Sequence, residues 1–149
     1  MQDSNPSKTP AENNLKLVKA TEVEQLVDET LYRSLVGSLL YIAKQTRPDI
    51  VWIVNVLSRF MDKPANTHWL AGKRVLRYLQ ATTSLKLLYP KDSDFNLTEE
   101  SDANWSGDHD DRRSTTGYFF NLGFSGGAVS WQTKKQQTGS LPAKLNIRV

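Results

Sequence analysis

The sequence predicts an α+β fold, in which a helical first half is followed by an antiparallel β-meander. Between residues 31 and 80, apolar side chains recur at the spacing of amphipathic helices. Beyond residue 84, short segments rich in β-branched and aromatic residues replace that pattern. The stretch "GFSGG" is a turn signal between the last two of these segments. We therefore expect helices within residues 28–83 and strands within residues 84–138.

Composition limits the classes of protein that the chain can belong to. Its 149 residues, 38% of them hydrophobic, suit one domain or two very small ones. The chain contains no cysteine, which excludes disulfide frameworks, thiolate zinc sites and cysteine nucleophiles. No apolar run is long enough to cross a bilayer, and the first residues lack the pattern of a secretory signal. We expect an intracellular protein, cytoplasmic or nuclear and not secreted, without a membrane partner.

Charge is distributed unevenly along the chain. From residue 31 to residue 91 there are ten Lys/Arg and two Asp/Glu, whereas residues 92–111 carry eight Asp/Glu and no Lys/Arg. The six charged residues from Arg112 onward are all basic. A basic block beside an acidic one suits a protein that binds a polyanion and concentrates cations on it. Two oppositely charged faces that attract each other would explain the same pattern.

The first 27 residues are polar, whereas the first expected helix is rich in apolar residues. Residues 1–27 are polar and include Pro6 and Pro10, so we expect a flexible linker. The following segment, "LYRSLVGSLLYIAKQ", predicts a helix with one apolar stripe and further apolar residues beside it. The stripe consists of Leu31, Leu35, Leu39 and Ile42, flanked by Tyr32, Val36 and Leu40.

Two further helices are expected before residue 84. Pro48 and Asp49 favour a helix start, and a helix is preferred over a buried strand for "IVWIVNVLSRFM". Asn66 or Thr67 can cap the third helix, "HWLAGKRVLRYLQ". Its expected buried face consists of Trp69, Gly72, Leu76 and Leu79, and its expected outer face of Lys73, Arg74 and Arg77.

The second half predicts four short strands. They are "LKLLY", "FNLTEESDA", "TTGYFFNL" and "GAVSWQ". In the last of them Val129 and Trp131 alternate with Ser130 and Gln132, which is typical of a strand with one buried face.

Several long sequence motifs occur together along residues 27–138. They are "YRSLVGSLLYIAKQTRPDI", "LSRFM", "GKRVLRYLQAT", "SDANW", "GDHDDRRSTTGY" and "SWQTKKQ". In order and spacing this set resembles the copia-type LTR retrotransposon Pol polyprotein. The resemblance implies that the helical part is the thumb or connection region of a reverse transcriptase. It further implies that the strands begin a ribonuclease H-like domain, which in the family cleaves RNA in RNA–DNA hybrids.

The resemblance also implies a metal-binding carboxylate. Asp102 in "SDANW" matches the first metal-binding aspartate of the family's nuclease, which uses carboxylates to hold two Mg²⁺ ions about 3.5–4 Å apart. The alternative for Asp102 is a capping or solvated aspartate at a strand end. Asn104 departs from the aspartate usual at that position, and we interpret that position as structural.

Basic residues at two places are candidates for nucleic-acid binding. Lys73, Arg74 and Arg77 could follow the backbone of a hybrid, or could form an ordinary solvated helix face. Arg112 and Arg113 could contact phosphate, although a local charged turn with Asp110 and Asp111 is the favoured interpretation. Surface or packing roles are expected for His68 and His109, and core positions for Trp69, Trp131, Phe119 and Phe120.

The family pattern is incomplete in this chain. The family's second ligand is a glutamate in a segment resembling "LSSTEAEY", and no acid follows Asp111 here. A single carboxylate does not hold two divalent cations, so we expect no nuclease activity from these residues alone. The paired aspartates of the polymerase palm are absent too. We expect residues 139–149 to be an aberrant tail, because codons for "AKLNIRV" can also encode Glu-Ala-Glu-Tyr-Gln-Ser in another frame.

Three interpretations of function follow. The first is an inactive fragment of a Pol polyprotein whose parent class is RNA-directed DNA polymerase and ribonuclease H, with the rest of Pol as its partner. The second is a non-catalytic module that binds an RNA–DNA hybrid or other nucleic acid weakly through its basic helices. The third is a reading frame of a decayed element without a molecular function.

Overall fold

The computed structural model describes residues 5–21, 24–89, 91, 96–104, 115–122 and 127–135, with the backbone alone for residues 101–104. Within them the α+β prediction is confirmed, because three helices precede a three-stranded antiparallel sheet of order β1-β2-β3. The α-helices are α1 (Glu29–Gln45), α2 (Val51–Leu57) and α3 (Asn66–Ala81). The strands are β1 (Leu97–Asn104), β2 (Thr115–Leu122) and β3 (Ala128–Lys135).

Helix α1 begins where Asp28 caps it and turns a different face inward than the sequence predicts. The Asp28 carboxylate accepts a hydrogen bond from the Leu31 backbone N–H at 2.7 Å. Leu31 itself is 53% exposed. The expected stripe is therefore rotated by about one residue, since spacing alone does not distinguish neighbouring faces of a broadly apolar helix. The buried residues are Tyr32, Val36, Leu39 and Ala43.

The core forms where α1, α2 and α3 meet. The Tyr32 hydroxyl donates a hydrogen bond to the Leu57 carbonyl at 2.9 Å, and burial raises the pKa of this phenol well above its usual range. The helix expected in "IVWIVNVLSRFM" is confirmed as α2. Short 3₁₀ turns, Pro48–Ile50 and Ser58–Phe60, flank it. The fully buried side chains of α2 and α3 in this core include Ile53, Val54, Leu57 and Val75.

Helix α3 begins without the predicted cap. Ala65 occupies the N-cap position, one residue before Asn66, and its methyl side chain accepts no hydrogen bond. His68 takes over this role, because its Nδ1 accepts a hydrogen bond from the Ala65 backbone N–H at 2.9 Å. The imidazole proton is therefore on Nε2, which donates to the Val18 carbonyl at 2.9 Å. The ring is fully buried and stacks on Phe60, so the expected packing role of His68 is confirmed.

The described part of the expected flexible linker is packed against the helices instead. Residues 5–18, which we call the N-terminal strap, run along α3 and place Leu15 and Leu17 against the core. Further on, the backbones of Val27 and Pro64 are joined by a hydrogen bond of 2.8 Å. The sequence did not predict this packing, because the few apolar residues of the strap are isolated among polar ones and show neither helical nor strand periodicity.

Three of the four predicted strands are present. Residues 85–89, "LKLLY", form no strand, and Leu88 is 68% exposed. This segment contacts the start of β3 instead, where the Tyr89 hydroxyl donates to the Ala128 carbonyl at 2.6 Å. Gly127 permits the close approach, since an added Cβ would lie 2.6 Å from the Leu88 carbonyl oxygen. Residues 123–126 of the expected turn lie outside the described residues.

The sheet is attached to the helices through β3. The Trp131 indole N–H donates to the Ala43 carbonyl at 2.8 Å, in the last turn of α1, where helix carbonyls have no partner within the helix. Asn55 of α2 donates to the Thr133 carbonyl at 3.1 Å. Of the described helices, none combines the length and apolar character needed to cross a membrane.

A polar network joins the turn before α2 to the end of α3. The Arg47 guanidinium contacts both carboxylate oxygens of Asp49, at 2.9 and 2.7 Å, and also donates to the Thr82 carbonyl at 3.2 Å. The Tyr78 hydroxyl donates to the same carboxylate at 2.8 Å. Burial pulls the pKa of Asp49 upward, but the hydrogen bonds from Arg47 and Tyr78 prevail and hold this pKa below its ordinary value.

We expect Asp49→Asn to lower the free energy of unfolding by about 1–2 kcal/mol near pH 7, because one neutral amide oxygen replaces the two charged carboxylate oxygens that pair with the guanidinium. The depressed pKa of Asp49 stabilises the fold above its unfolded value of about 3.9, and this contribution is lost as pH falls through the folded pKa. Urea unfolding followed by circular dichroism at neutral pH and near pH 3 measures both effects. The control is Asp62→Asn at a fully exposed carboxylate; equal losses in both variants would contradict the prediction.

Candidate functional site

Strand β1 carries Asp102 into the sheet. In the antiparallel register Asp102 pairs with Gly117, and two residues later Asn104 pairs with Thr115. Asp102 therefore lies on a strand with a neighbouring strand beside it, which agrees with the position that the resemblance implies. Only the backbone of Asp102 is described. Its role as a metal ligand remains a prediction.

Helical residues reach the sheet close to this point, which the sequence did not predict. Arg59, in the turn after α2, donates to the Thr115 hydroxyl at 3.0 Å, and Thr115 pairs with both Asn104 and Lys135. The contact between Arg59 and Thr115 spans 56 residues of sequence. No local pattern marks such a residue, because its partner is set by how the sheet lies on the helices.

The described side chains do not form a metal site. Within that part of the chain, no group of three or more His, Cys, Asp or Glu side chains is arranged to hold an ion. The described side chains, which do not include that of Asp102, therefore bring together no carboxylate set of the kind that two Mg²⁺ ions require. Asp110, Asp111, His109, Arg112 and Arg113 lie outside the described residues.

The basic residues of α3 are not equally open to solvent, because Arg74 and Arg77 are partly buried beside the N-terminal strap whereas Lys73 is exposed. Arg74 donates to the Glu12 carboxylate at 3.0 Å and to the Thr9 hydroxyl at 3.1 Å. Lys73 remains exposed, with its ammonium 5.2 Å from the centre of the Trp69 ring. Lys73, Arg74 and Arg77 all line one groove of about 680 Å³ between the strap and the helix.

The aromatic residues are distributed between the core and the sheet. Trp69 and Trp131 are partly buried and pack against the core cluster, which confirms their expected packing role. Phe119 and Phe120 are half-buried on the middle strand, and Phe119 lines a cleft of about 460 Å³ between α2 and the sheet. Trp52 and Glu100 lie at the same cleft.

Comparison with known proteins places the chain among transposon proteins. It is 44% identical over 146 residues to the Retrovirus-related Pol polyprotein from transposon TNT 1-94 of Nicotiana tabacum, and the match covers 95% of this chain. It is 43% identical over 137 residues to the corresponding polyprotein from transposon RE2 of Arabidopsis thaliana, over 92% of this chain. It is also 49% identical over 110 residues to the Secreted RxLR effector protein 161 of Plasmopara viticola.

The shares covered differ between these relatives. The match to the effector spans 74% of this chain and 76% of that protein. The chain spans only 11% and 9% of the two Pol polyproteins. No protein-family model matches the chain, and no solved structure matches it.

These matches define the class as proteins derived from transposons. The chain belongs to the retrotransposon Pol polyprotein family and corresponds to a piece of those much longer proteins. Because the matches to the effector and to the TNT 1-94 polyprotein cover 74% and 95% of this chain, they overlap over most of it. The word "secreted" in the effector's name describes that protein.

Proposed function

We propose that this chain is the part of a copia-type Pol polyprotein that joins the reverse transcriptase to ribonuclease H. Its three helices would be the connection segment, and β1, β2 and β3 the first strands of the nuclease domain. The observation that carries this proposal is the attachment of an antiparallel meander, with Asp102 paired in its first strand, to the preceding helices.

The order of structural elements supports the same proposal. Residues 101–104 of the segment "SDANW" form the end of β1, and residues 115–120 of the segment "STTGYFF" belong to β2. The word "GKRVLRYLQAT" forms most of α3. The motif that resembles the family's connection segment thus lies on a helix, and the motifs that resemble its nuclease domain lie on strands. This is the order expected when a connection segment is followed by a nuclease domain.

We further propose that these 149 residues do not hydrolyse RNA by themselves. Hydrolysis in the parent family relies on two Mg²⁺ ions, which would stabilise the attacking and leaving oxygens. Mg²⁺ needs several oxygen ligands, and Asp102 is the single carboxylate that matches a ligand position of the family. We expect that Mg²⁺ is not bound tightly by this chain.

Incubation of the purified chain with Mg²⁺ and an end-labelled RNA–DNA hybrid is expected to leave the RNA intact, measured as the fraction of full-length strand on a denaturing gel. The matched control is Asp102→Asn, which removes the charge at nearly constant shape. Cleavage by the wild-type chain that disappears in Asp102→Asn would overturn the proposed inactivity. Cleavage that persists in the variant would indicate a contaminating nuclease and calls for a repeat with further purified protein.

A second candidate is a non-catalytic nucleic-acid-binding module, and the grouping of Lys73, Arg74 and Arg77 in one groove favours it. Lysine and arginine bind phosphate through charge, with release of counterions from the nucleic acid. We therefore expect the affinity for an RNA–DNA hybrid to fall steeply as salt is raised. Joint neutralisation of these three residues should make that dependence shallower, by a slope of up to about three. A salt-independent affinity would contradict this function.

A further inference from the structure

The N-terminal strap is held at both ends and is longer than the helix segment beneath it. Near its start the Ser7 backbone N–H donates to the Arg77 carbonyl at 3.5 Å, and at its end the Val18 carbonyl accepts from His68. The α3 segment between those two contacts is about 14 Å long. The strap between Ser7 and Val18 could reach about 36 Å if extended. Bends and a turn within residues 8–14 take up part of the excess length, and a groove of about 680 Å³ lies between the strap and α3.

The groove concentrates positive charge from both of its walls. The strap contributes Lys16, which faces the α3 residues Lys73, Arg74 and Arg77 across the groove. Glu12 is the one acid among the described residues that line it. Four cations around one carboxylate attract a second anion, and the partial enclosure reduces screening by water.

The guanidinium groups have hydrogen-bond donors to spare. Glu12 and Thr9 occupy the two Nη atoms of Arg74. The Nε atoms of Arg74 and Arg77 are buried and have no hydrogen-bond partner among the described residues. These buried Nε atoms are not exposed to a ligand, but each Nη of Arg74 carries a second N–H, and a phosphate in the groove can accept from it.

Apart from Thr67, the remaining lining of the groove is apolar. Leu15 and Leu17 come from the strap, and Leu70 of α3 is 54% exposed although it lies in the groove. A cationic groove with apolar walls suits a polymeric ligand in which charged groups alternate with flat apolar groups. A single nucleic-acid strand has that character, whereas a duplex keeps its bases stacked inside.

We propose that the groove between the N-terminal strap and α3 binds the phosphates of a single nucleic-acid strand, with bases or sugars against Leu15, Leu17 and Leu70. Glu12 acts as an internal carboxylate that a phosphate displaces from Arg74. The proposal rests on the nucleic-acid-binding function above and adds to it the place, the strandedness of the ligand and the competing group.

The experiment measures the fluorescence anisotropy of a labelled single-stranded RNA oligonucleotide with variants at exposed side chains. Lys16→Gln is expected to weaken binding roughly three- to tenfold at low salt and to lower the salt slope by about one. Glu12→Gln is expected to strengthen binding by a similar factor of roughly three or more, because the competing carboxylate is removed. The controls have matched charge changes outside the groove: Lys44→Gln on α1, and Asp62→Asn.

The possible outcomes distinguish a failure of the groove proposal from a failure of the nucleic-acid-binding function. If the wild-type chain binds no nucleic acid, the nucleic-acid-binding function fails and the groove proposal fails with it. If it binds but the groove variants change affinity no more than their controls, the groove proposal alone fails. A duplex of the same length that binds more tightly would contradict the single-strand ligand. Inorganic phosphate that competes as well as the oligonucleotide, per phosphate, would identify a simple anion site instead.

Discussion

His68→Ala is expected to lower the free energy of unfolding by about 3–4 kcal/mol, measured by urea denaturation. The imidazole is fully buried, and its centroid lies 4.0 Å from that of the Phe60 ring, so alanine leaves a cavity. The variant also leaves the Ala65 backbone N–H and the Val18 carbonyl without their partner. The loss therefore affects both the start of α3 and the end of the N-terminal strap.

Two further variants at this position separate the contributions. His68→Phe keeps the ring stacking and removes both hydrogen bonds, so we expect it to cost about 2–3 kcal/mol. His68→Asn can still accept from the Ala65 N–H through its amide oxygen, so we expect the helix start to survive while the stacking and the strap contact are lost. Faster proteolysis near residue 18 in His68→Asn would report the released strap. A His68→Ala protein as stable as the wild type would show that the imidazole does not hold these elements together.

Trp131→Ala is expected to destabilise the chain by about 3 kcal/mol and to divide its unfolding into two steps. The indole packs against the helical core and satisfies the Ala43 carbonyl in the last turn of α1. Without it, the sheet keeps its hydrogen bonds with Asn55 and Arg59 but loses the strand side chain that packs against the helical core cluster. The sheet should then melt at a lower temperature than α1–α3, which circular dichroism at the helix band and hydrogen exchange of the strand amides can follow separately.

The matched variants test the cause of this effect. Trp131→Phe retains most of the apolar area and removes only the N–H, so its cost should be about 1–2 kcal/mol. Trp52→Ala removes a tryptophan that is 40% exposed, and we expect a smaller loss with unfolding still in one step. If Trp131→Ala also unfolds in a single sharp step, the sheet does not depend on this contact for its attachment.

This attachment matters for the proposed origin of the chain. Arg59 and Asn55 contact Thr115 and Thr133, at the end of the sheet where the strand of Asp102 finishes. In the proposed parent the connection helices would therefore support the strand that carries the first metal ligand. The sheet of this chain would inherit the same dependence on its helices.

Predictability differed between elements for physical reasons. Helices α1 to α3 and strands β1 to β3 follow from apolar spacing and β-propensity, which are local properties of the sequence. The cap of α3 could not be predicted in this way. Asn66 and Thr67 are residue types that commonly cap helices, but the Ala65 N–H donates to a buried histidine instead. The segment "LKLLY" has strand character but forms no strand in the fold.

The candidate site was predictable only in part. The candidate residues were identified from sequence motifs that resemble a known family, and the position of Asp102 on a strand agrees with that resemblance. The partners of those residues were not predictable. Arg74 was predicted on the outer face of the third helix, either solvated or in contact with nucleic acid, but its partner Glu12 is 62 residues away in sequence. No spacing rule connects two segments so far apart.

By itself, the sequence determined the α+β class, the order of helices and strands, and membership of the Pol polyprotein family. These depend on periodicity, propensity and shared words, all of which are contained within short stretches of chain. Only the tertiary structure decided which face of α1 is buried, that the strap packs along α3, and that Trp131 satisfies a carbonyl of α1. Burial and hydrogen-bond partners are set by which segments lie side by side, and local sequence does not encode that neighbourhood.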